Sequence, residues 1–369
     1  MGGESLRSSA IFLIVSSRGN PTLRQHYVPV KFLSAWADDG VLWVRYGDAE
    51  PRETSINGCG FEKGIYTLPK LVFDEYLEVS RFAEDTFKDD EDMLQSYMQM
   101  VTFPWMWKLV SDGKLTRSEE CVLMDMVAQG YMSRVTKDNM QRVSDKVRAG
   151  ATVPEDLKAL VDRKYIEGLE GQMCQYENAL WPILDALRRG DVSPLKDNGS
   201  MLAFVDYSFA QFVRTPKYLE LARMIEVNYS ENVAKHIRLA IAYRFKEHLL
   251  TEINVRKKSY RIELIRNNTE LDFISGDVPI VNLEGHERPK HMDMFLPISP
   301  RLAVFMGEKS RLSDEHPYLL NLNSESVDFL NRRICEESVL QIYAKSKDVL
   351  VGRDYCAMNL LPYSEVYSS

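Results

Sequence analysis

Three side chains of different chemistry, His26, Arg214 and Asp277, each lie within three residues of a proline. Between them they offer a group that titrates near neutrality, a planar holder of anions and a carboxylate. His26 sits in QHYVPVKFL (25 to 33), Arg214 in FVRTP (212 to 216) and Asp277 in SGDVP (275 to 279). Proline fixes its own backbone angle and restricts the residue before it, so each motif offers a rigid local setting. In that setting His26 suits a general acid or base, and Arg214 suits a phosphate or carboxylate. Asp277 suits the orientation of His26, the holding of a metal or the activation of water. Each also has a structural counterpart: a histidine satisfied by a backbone carbonyl, an arginine paired with a buried acid such as Asp277, and an aspartate closing an Asx turn. A fourth motif, FLPISP (295 to 300), carries Ser299. It lacks the GxSxG surroundings of a nucleophilic serine and reads as a turn.

A second feature is charge. Between Lys235 and Arg266 there are nine Lys or Arg against three Glu, in a chain whose net charge is -8. Arg256, Lys257 and Lys258 next to Tyr260 form a basic and aromatic cluster of the kind that binds phosphate backbones and stacks on bases. The counter-reading is a solvated face balanced by the acids between Asp74 and Asp92. No metal site is legible. His286 and His291 in HERPKH have no zinc spacing, and His236 and His248 fall about 1,200° apart on a helix, on different sides. No P-loop and no GxGxxG after a strand is present, so no nucleotide cofactor is implied. Met98, Met100, Phe103, Trp105, Met106 and Trp107 read as core.

The elements that must position these residues follow from periodicity. GVLWVRYG (40 to 47) and Ile65 to Leu68 read as strands of a small N-terminal sheet. From about Lys70 to Glu226 the period is helical, with helices expected around Val72 to Phe82, Leu94 to Trp105, Ser118 to Val147, Glu155 to Arg189 and Met201 to Arg214. Thr215 and Pro216 end the last of these, and Thr215 is expected to cap the next helix. Glu231 to Thr251 reads as one more amphipathic helix. Strand patterns then follow at Tyr260 to Ile265, Leu271 to Ile274, Pro279 to Val281, Met294 to Ile298 and Leu302 to Met306. A helix at Ser324 to Cys335 and a strand at Val339 to Ala344 close the series.

With 45% hydrophobic and 27% charged residues, the composition is that of a folded chain able to bury a large core. Five cysteines without a CxxC pair signal neither a disulfide framework nor a zinc knuckle, and they suit a reducing, cytoplasmic setting. The apolar run Ala10 to Val15 is too short to span a bilayer, so no membrane partner is expected. Leu6 defeats the myristoylation pattern begun by Met1 and Gly2.

The order HYVP, GIYTL (64 to 68), RTPKYLE, a DxP turn and PxSP resembles the family known as domain of unknown function 4238, over roughly residues 24 to 350. The resemblance implies a shared fold and a shared pocket. It departs where the family tends to read Ser-Asp-Asn-Pro and this chain has Gly276, Asp277, Val278 and Pro279. The fold expected is α+β: a helical middle (about 70 to 255) with a small, mainly antiparallel sheet built from N- and C-terminal segments. It forms a single domain over 24 to 350, between tails at 1 to 23 and 351 to 369. The function expected is hydrolase or nuclease-like action on an anionic phosphodiester, with His26, Arg214 and Asp277 converging and Arg256, Lys257, Lys258 and Tyr260 binding substrate. The alternative is a non-catalytic regulatory protein that binds nucleic acid or protein and uses these motifs as corners.

Overall fold

The structure, a computed structural model, describes residues 24–111, 141, 145, 148–149, 173–174, 176–218, 229–256, 260–284 and 291–351. The helix expected at Ser118 to Val147, apart from helical residues 141 and 145, the 155 to 172 part of the one expected at Glu155 to Arg189, the residues Lys257, Lys258 and His286, and the two tails (Val351 apart) lie outside these residues. The fold is α+β.

Among the described residues the strands form three antiparallel sheets where one small sheet was expected. In the first, β1 (Arg24–His26) pairs with β4 (Phe61–Lys63), setting Gln25 opposite Glu62 and His26 opposite Phe61. The second has the order β3 (Arg52–Ser55), β2 (Val41–Tyr46), β10 (Gln341–Ala344), β6 (Ser275–Gly276). Here the N-terminal hairpin and the C-terminal strands meet, as the sequence leads one to expect. β2 leaves a tight turn at Asp39 and Gly40, both at positive φ (48° and 78°), a conformation that the Asp-Gly pair adopts readily. Gly276 lies opposite Ile342 in β10, and a Cβ there would fall 2.0 Å from the Ser338 hydroxyl, so only glycine fits. The third sheet runs β5 (Tyr260–Arg266), β9 (Leu302–Glu308), β8 (Met294–Ser299), β7 (Val281–Asn282). Its β8–β9 register shifts at Pro297 and Ser299, where Ser299 Oγ accepts from the Arg301 amide at 3.3 Å, the turn expected for that serine.

The helices that matter for the site are α1 (Val30–Leu33), α2 (Phe73–Thr86), α3 (Glu91–Ser111), α4 (Asn198–Val213), α5 (Glu231–Arg256) and α6 (Ser324–Glu337). Asp197 caps α4 by accepting from the Ser200 amide at 2.8 Å, and Asn323 caps α6 in the same way through Ser326 at 2.8 Å. Glu75 folds back to the Val72 amide at 3.0 Å and also accepts from Ser230 and Asn232, which ties the start of α2 to the start of α5. One apolar core runs from Tyr27 through the helices to Tyr343, with Tyr76 stacked on Trp105 at 4.0 Å. A second core fills the C-terminal lobe around Phe273, Phe295, Phe305, Leu330 and Ile334. The indole of Trp36 donates to the Phe273 carbonyl at 2.9 Å and seams the two.

Two strand expectations move. Residues 65 to 68 form a loop, because the pairing partner of β1 is 61 to 63. Residues 271 to 274 are not a strand either, since the Asn331 side chain takes the Ile274 amide at 3.0 Å in place of a ladder.

Candidate functional site

The β1–β4 pair brings the loop after β4 against the end of α4. Buried Gln25 accepts from the Tyr66 amide at 2.7 Å, and the Tyr66 hydroxyl donates to the Arg214 carbonyl at 3.2 Å. Arg214 is the residue at which α4 stops. Thr215 stands directly before the helical turn that begins at Pro216, as expected for a cap, and its hydroxyl donates back to the Phe212 carbonyl at 3.0 Å at the exit from α4.

The Arg214 side chain is 3% exposed. Its Nε donates to the Tyr27 carbonyl at 3.0 Å, an acceptor shared with Gln211 Nε2 at 2.6 Å, and its Nη1 donates to Glu177 Oε1 at 2.7 Å. Nη2 is buried and has no hydrogen-bond partner among the described residues. Burial works against the charge, but Tyr66, Glu177 and Tyr207 outweigh it, so the proton is held more tightly than in water.

Arg214 lines a cavity of about 320 Å³. Glu62 to Leu68 form one wall; Met173, Tyr176, Val213 and Pro216 form another. The third is one face of α5, where Lys235, Arg238, Leu239, Ala242 and Lys246 recur at helical spacing. Lys246 is 4% exposed, pairs with Asp206 at 2.5 Å and lies 4.8 Å over the Tyr176 ring. Arg238 stands 3.8 Å from Glu231. Thr67 brings a second buried polar atom without a partner among the described residues, its Oγ1. The backbone curls back here through Gly64 at φ 72°, whose carbonyl takes the Thr67 amide at 3.0 Å. Glu62 is the one carboxylate among the described lining residues. Burial pushes its pKa up and Lys235 draws it back. A basic, partly apolar hollow with two unfilled donors can take an organic anion.

His26 stands beside this arrangement rather than in its lining. Its ring packs 5.6 Å from Phe61, and Nε2 is buried without a partner among the described residues. Burial, then Arg24 and Arg214, hold the imidazole toward its neutral form, with a backbone hydrogen bond at Asn57 pulling the other way.

Asp277 does not join them. It is 0% exposed, and both oxygens are taken by backbone amides: Oδ1 by Val339 at 2.9 Å, Oδ2 by Leu340 at 2.6 Å and Gln341 at 3.1 Å. Burial pushes its pKa up to about 6, against those amides and Lys217. Its partners lie at the entry to β10, so it is neither the orienter of His26 nor the Asx turn of the alternative reading. The link to the other motifs is indirect. Gln341 Oε1 takes the Gly60 amide at 3.0 Å, its Nε2 donates to the Tyr27 hydroxyl at 3.3 Å, and the Tyr27 carbonyl holds Arg214.

The imidazole–carboxylate pair looked for at His26 and Asp277 occurs in the C-terminal lobe instead. There His316 Nε2 meets Asp293 Oδ2 at 2.8 Å and Nδ1 meets the Tyr318 hydroxyl at 3.1 Å, while Arg311 Nε donates to the same carboxylate oxygen at 2.6 Å. Nothing in the sequence links residues 293 and 316.

Of the residues expected to bind substrate, only Tyr260 has a described side chain; it is half-buried in β5, opposite Glu308. Lys257 and Lys258, like the side chain of Arg256, lie outside the described residues. The basic residues that do line a cavity are Lys235, Arg238 and Lys246, from the same stretch of charge. Their common face was the available signal. Among the described residues no cluster of three metal-ligating side chains occurs, and no helix is long and apolar enough to cross a membrane.

A family described as protein of unknown function (DUF4238) matches residues 24–348, most of the chain, and the protein belongs to it. No curated protein matches the chain, and no solved structure does.

Proposed function

For this member of the DUF4238 family we propose binding of a small organic anion in the cavity under Arg214, its acidic group taken by Arg214 Nη2 and Thr67 Oγ1. One observation carries the reading: an arginine that lines a basic hollow keeps a buried guanidinium nitrogen, Nη2, without a partner among the described residues. An unmade bond of this kind costs about 1–3 kcal/mol, a cost that a bound oxyanion removes.

A phosphodiester is the anion that extends this to chemistry. Arg214 would then stabilise charge developing on the phosphoryl oxygens, and Glu62 would move the proton at the cavity rim. His26 is the second proton carrier within reach of the field of Arg214. The second reading, a non-catalytic regulatory protein that binds nucleic acid or protein, draws support from Asp277, which acts as a backbone clamp. A cavity of about 320 Å³ admits one small ligand, so a nucleic acid would enter it through a single nucleotide. Cys59 is buried as a free thiol, which suits a reducing cytoplasmic location.

Calorimetry and nitrophenolate release with bis(p-nitrophenyl) phosphate test these readings together. Binding with turnover that Glu62→Gln abolishes supports the hydrolase. Binding without turnover supports the regulatory protein, and absence of binding by this diester and by octanoate overturns the proposal.

A further inference from the structure

The charges around the cavity are largely spoken for. Glu177 neutralises Arg214, Asp206 neutralises Lys246, and Glu231 faces Arg238. Lys235 shares its field with Glu62. Among the described lining residues and the acids paired with them, Lys63 at the exposed rim leaves an excess of one positive charge. Among the buried polar atoms of the lining, Arg214 Nη2, which carries two N–H, and Thr67 Oγ1 have no partner among the described residues. These donors can serve one acidic group, and the charge balance decides how much charge that group carries.

The rest of the lining is apolar. Leu239 and Ala242 lie between Lys235 and Lys246, which are separated by about 16 Å along α5. Ile65, Leu68 and Val213 share the cavity with them. A ligand that fills this space has an elongated apolar body and one acidic end.

We infer that the cavity selects singly charged, elongated organic anions, carboxylates or phosphodiesters, and that Glu62 is the residue that excludes dianions. The inference rests on the binding reading above and adds a charge limit to it. A dianion brought beside Glu62 meets a like charge in a site with only one positive charge to spare, which weakens it by about tenfold relative to a monoanion.

The test is calorimetry of the full chain near neutral pH with octanoate, diphenyl phosphate and phenyl phosphate. Octanoate or diphenyl phosphate is expected to bind about tenfold tighter than phenyl phosphate. Whichever of the two monoanions is tighter identifies the natural acid. Glu62→Gln is expected to narrow the gap at least about threefold by tightening phenyl phosphate, while Thr67→Val weakens all three alike. Equal or tighter binding of phenyl phosphate by the unaltered protein, or a ratio unmoved by Glu62→Gln, overturns the charge limit and leaves anion binding standing. Binding of none of the three removes both.

Discussion

Arg214 and Asp277 are both buried, both set two residues before a proline, and both charged in isolation, yet they end in opposite conditions. Asp277 accepts three backbone amides and has neither oxygen open. Arg214 makes two bonds and keeps a third donor unfilled at a cavity wall. The difference between a clamp and a binding group is therefore one of saturation, and residue type and proline context do not report it. The contrast does not divide the lobes: Asp293 Oδ2 is held by His316 and Arg311, but its Oδ1, like Arg214 Nη2 and Thr67 Oγ1, is buried without a partner among the described residues.

The largest effect expected from breaking this contrast is on the clamp. Asp277→Ala leaves three buried amides unpaired and lowers unfolding free energy by about 3–5 kcal/mol, read by denaturant titration. Anion affinity of the folded fraction should stay unchanged.

Acid separates the two regions next. His236, buried behind the cavity with Nε2 3.1 Å from the Pro69 carbonyl, is driven by burial from 6.5 to about 4. The unfolded chain takes up a proton at that group below pH 6.5 and the folded chain does not until about pH 4. Stability from His236 is thus present above 6.5 and lost on the way down, about 3 kcal/mol in all. Asp277 has the opposite sign. Its pKa rises from 3.8 to about 6, so its share is full below 3.8 and lost as pH climbs through 6. Denaturation between pH 4 and 6.5 should shift, relative to the unaltered protein, toward acid loss for Asp277→Asn and toward acid gain for His236→Gln.

Arg214→Met should cost about 100-fold in affinity for a monoanion by calorimetry, together with some stability from the stranded Glu177. The smallest effect is the most discriminating. Thr67→Val removes an unsatisfied buried hydroxyl, so it should raise stability by up to about 1 kcal/mol while weakening anion binding about threefold. A structural threonine would lose stability instead.

Much of the frame was legible in the sequence. The apolar periodicity of α4, α5 and α6 and the β-branched runs of β2 and β9 are local signals that tertiary packing reinforced. The place of Arg214 at a helix break was also legible, from the proline two residues on. The role of Asp277 was not, because its partners lie at residues 339 to 341, and pairings across such distances leave no mark on either segment. For the same reason Glu177, Thr67 and the Asp293–His316 pair went unseen. Lys235, Arg238 and Lys246 were visible as charge. Their common face on α5 was also available, and reading the stretch as a solvated surface hid it.

The claim that an oxyanion completes Arg214 is tested most directly by a crystal structure with 4-bromobenzoate, whose bromine is located by anomalous scattering. The carboxylate is expected on Arg214 Nη2 and Thr67 Oγ1, with the bromine beside Leu239 and Ala242. An empty cavity, with Nη2 bonded to another protein atom, would contradict it.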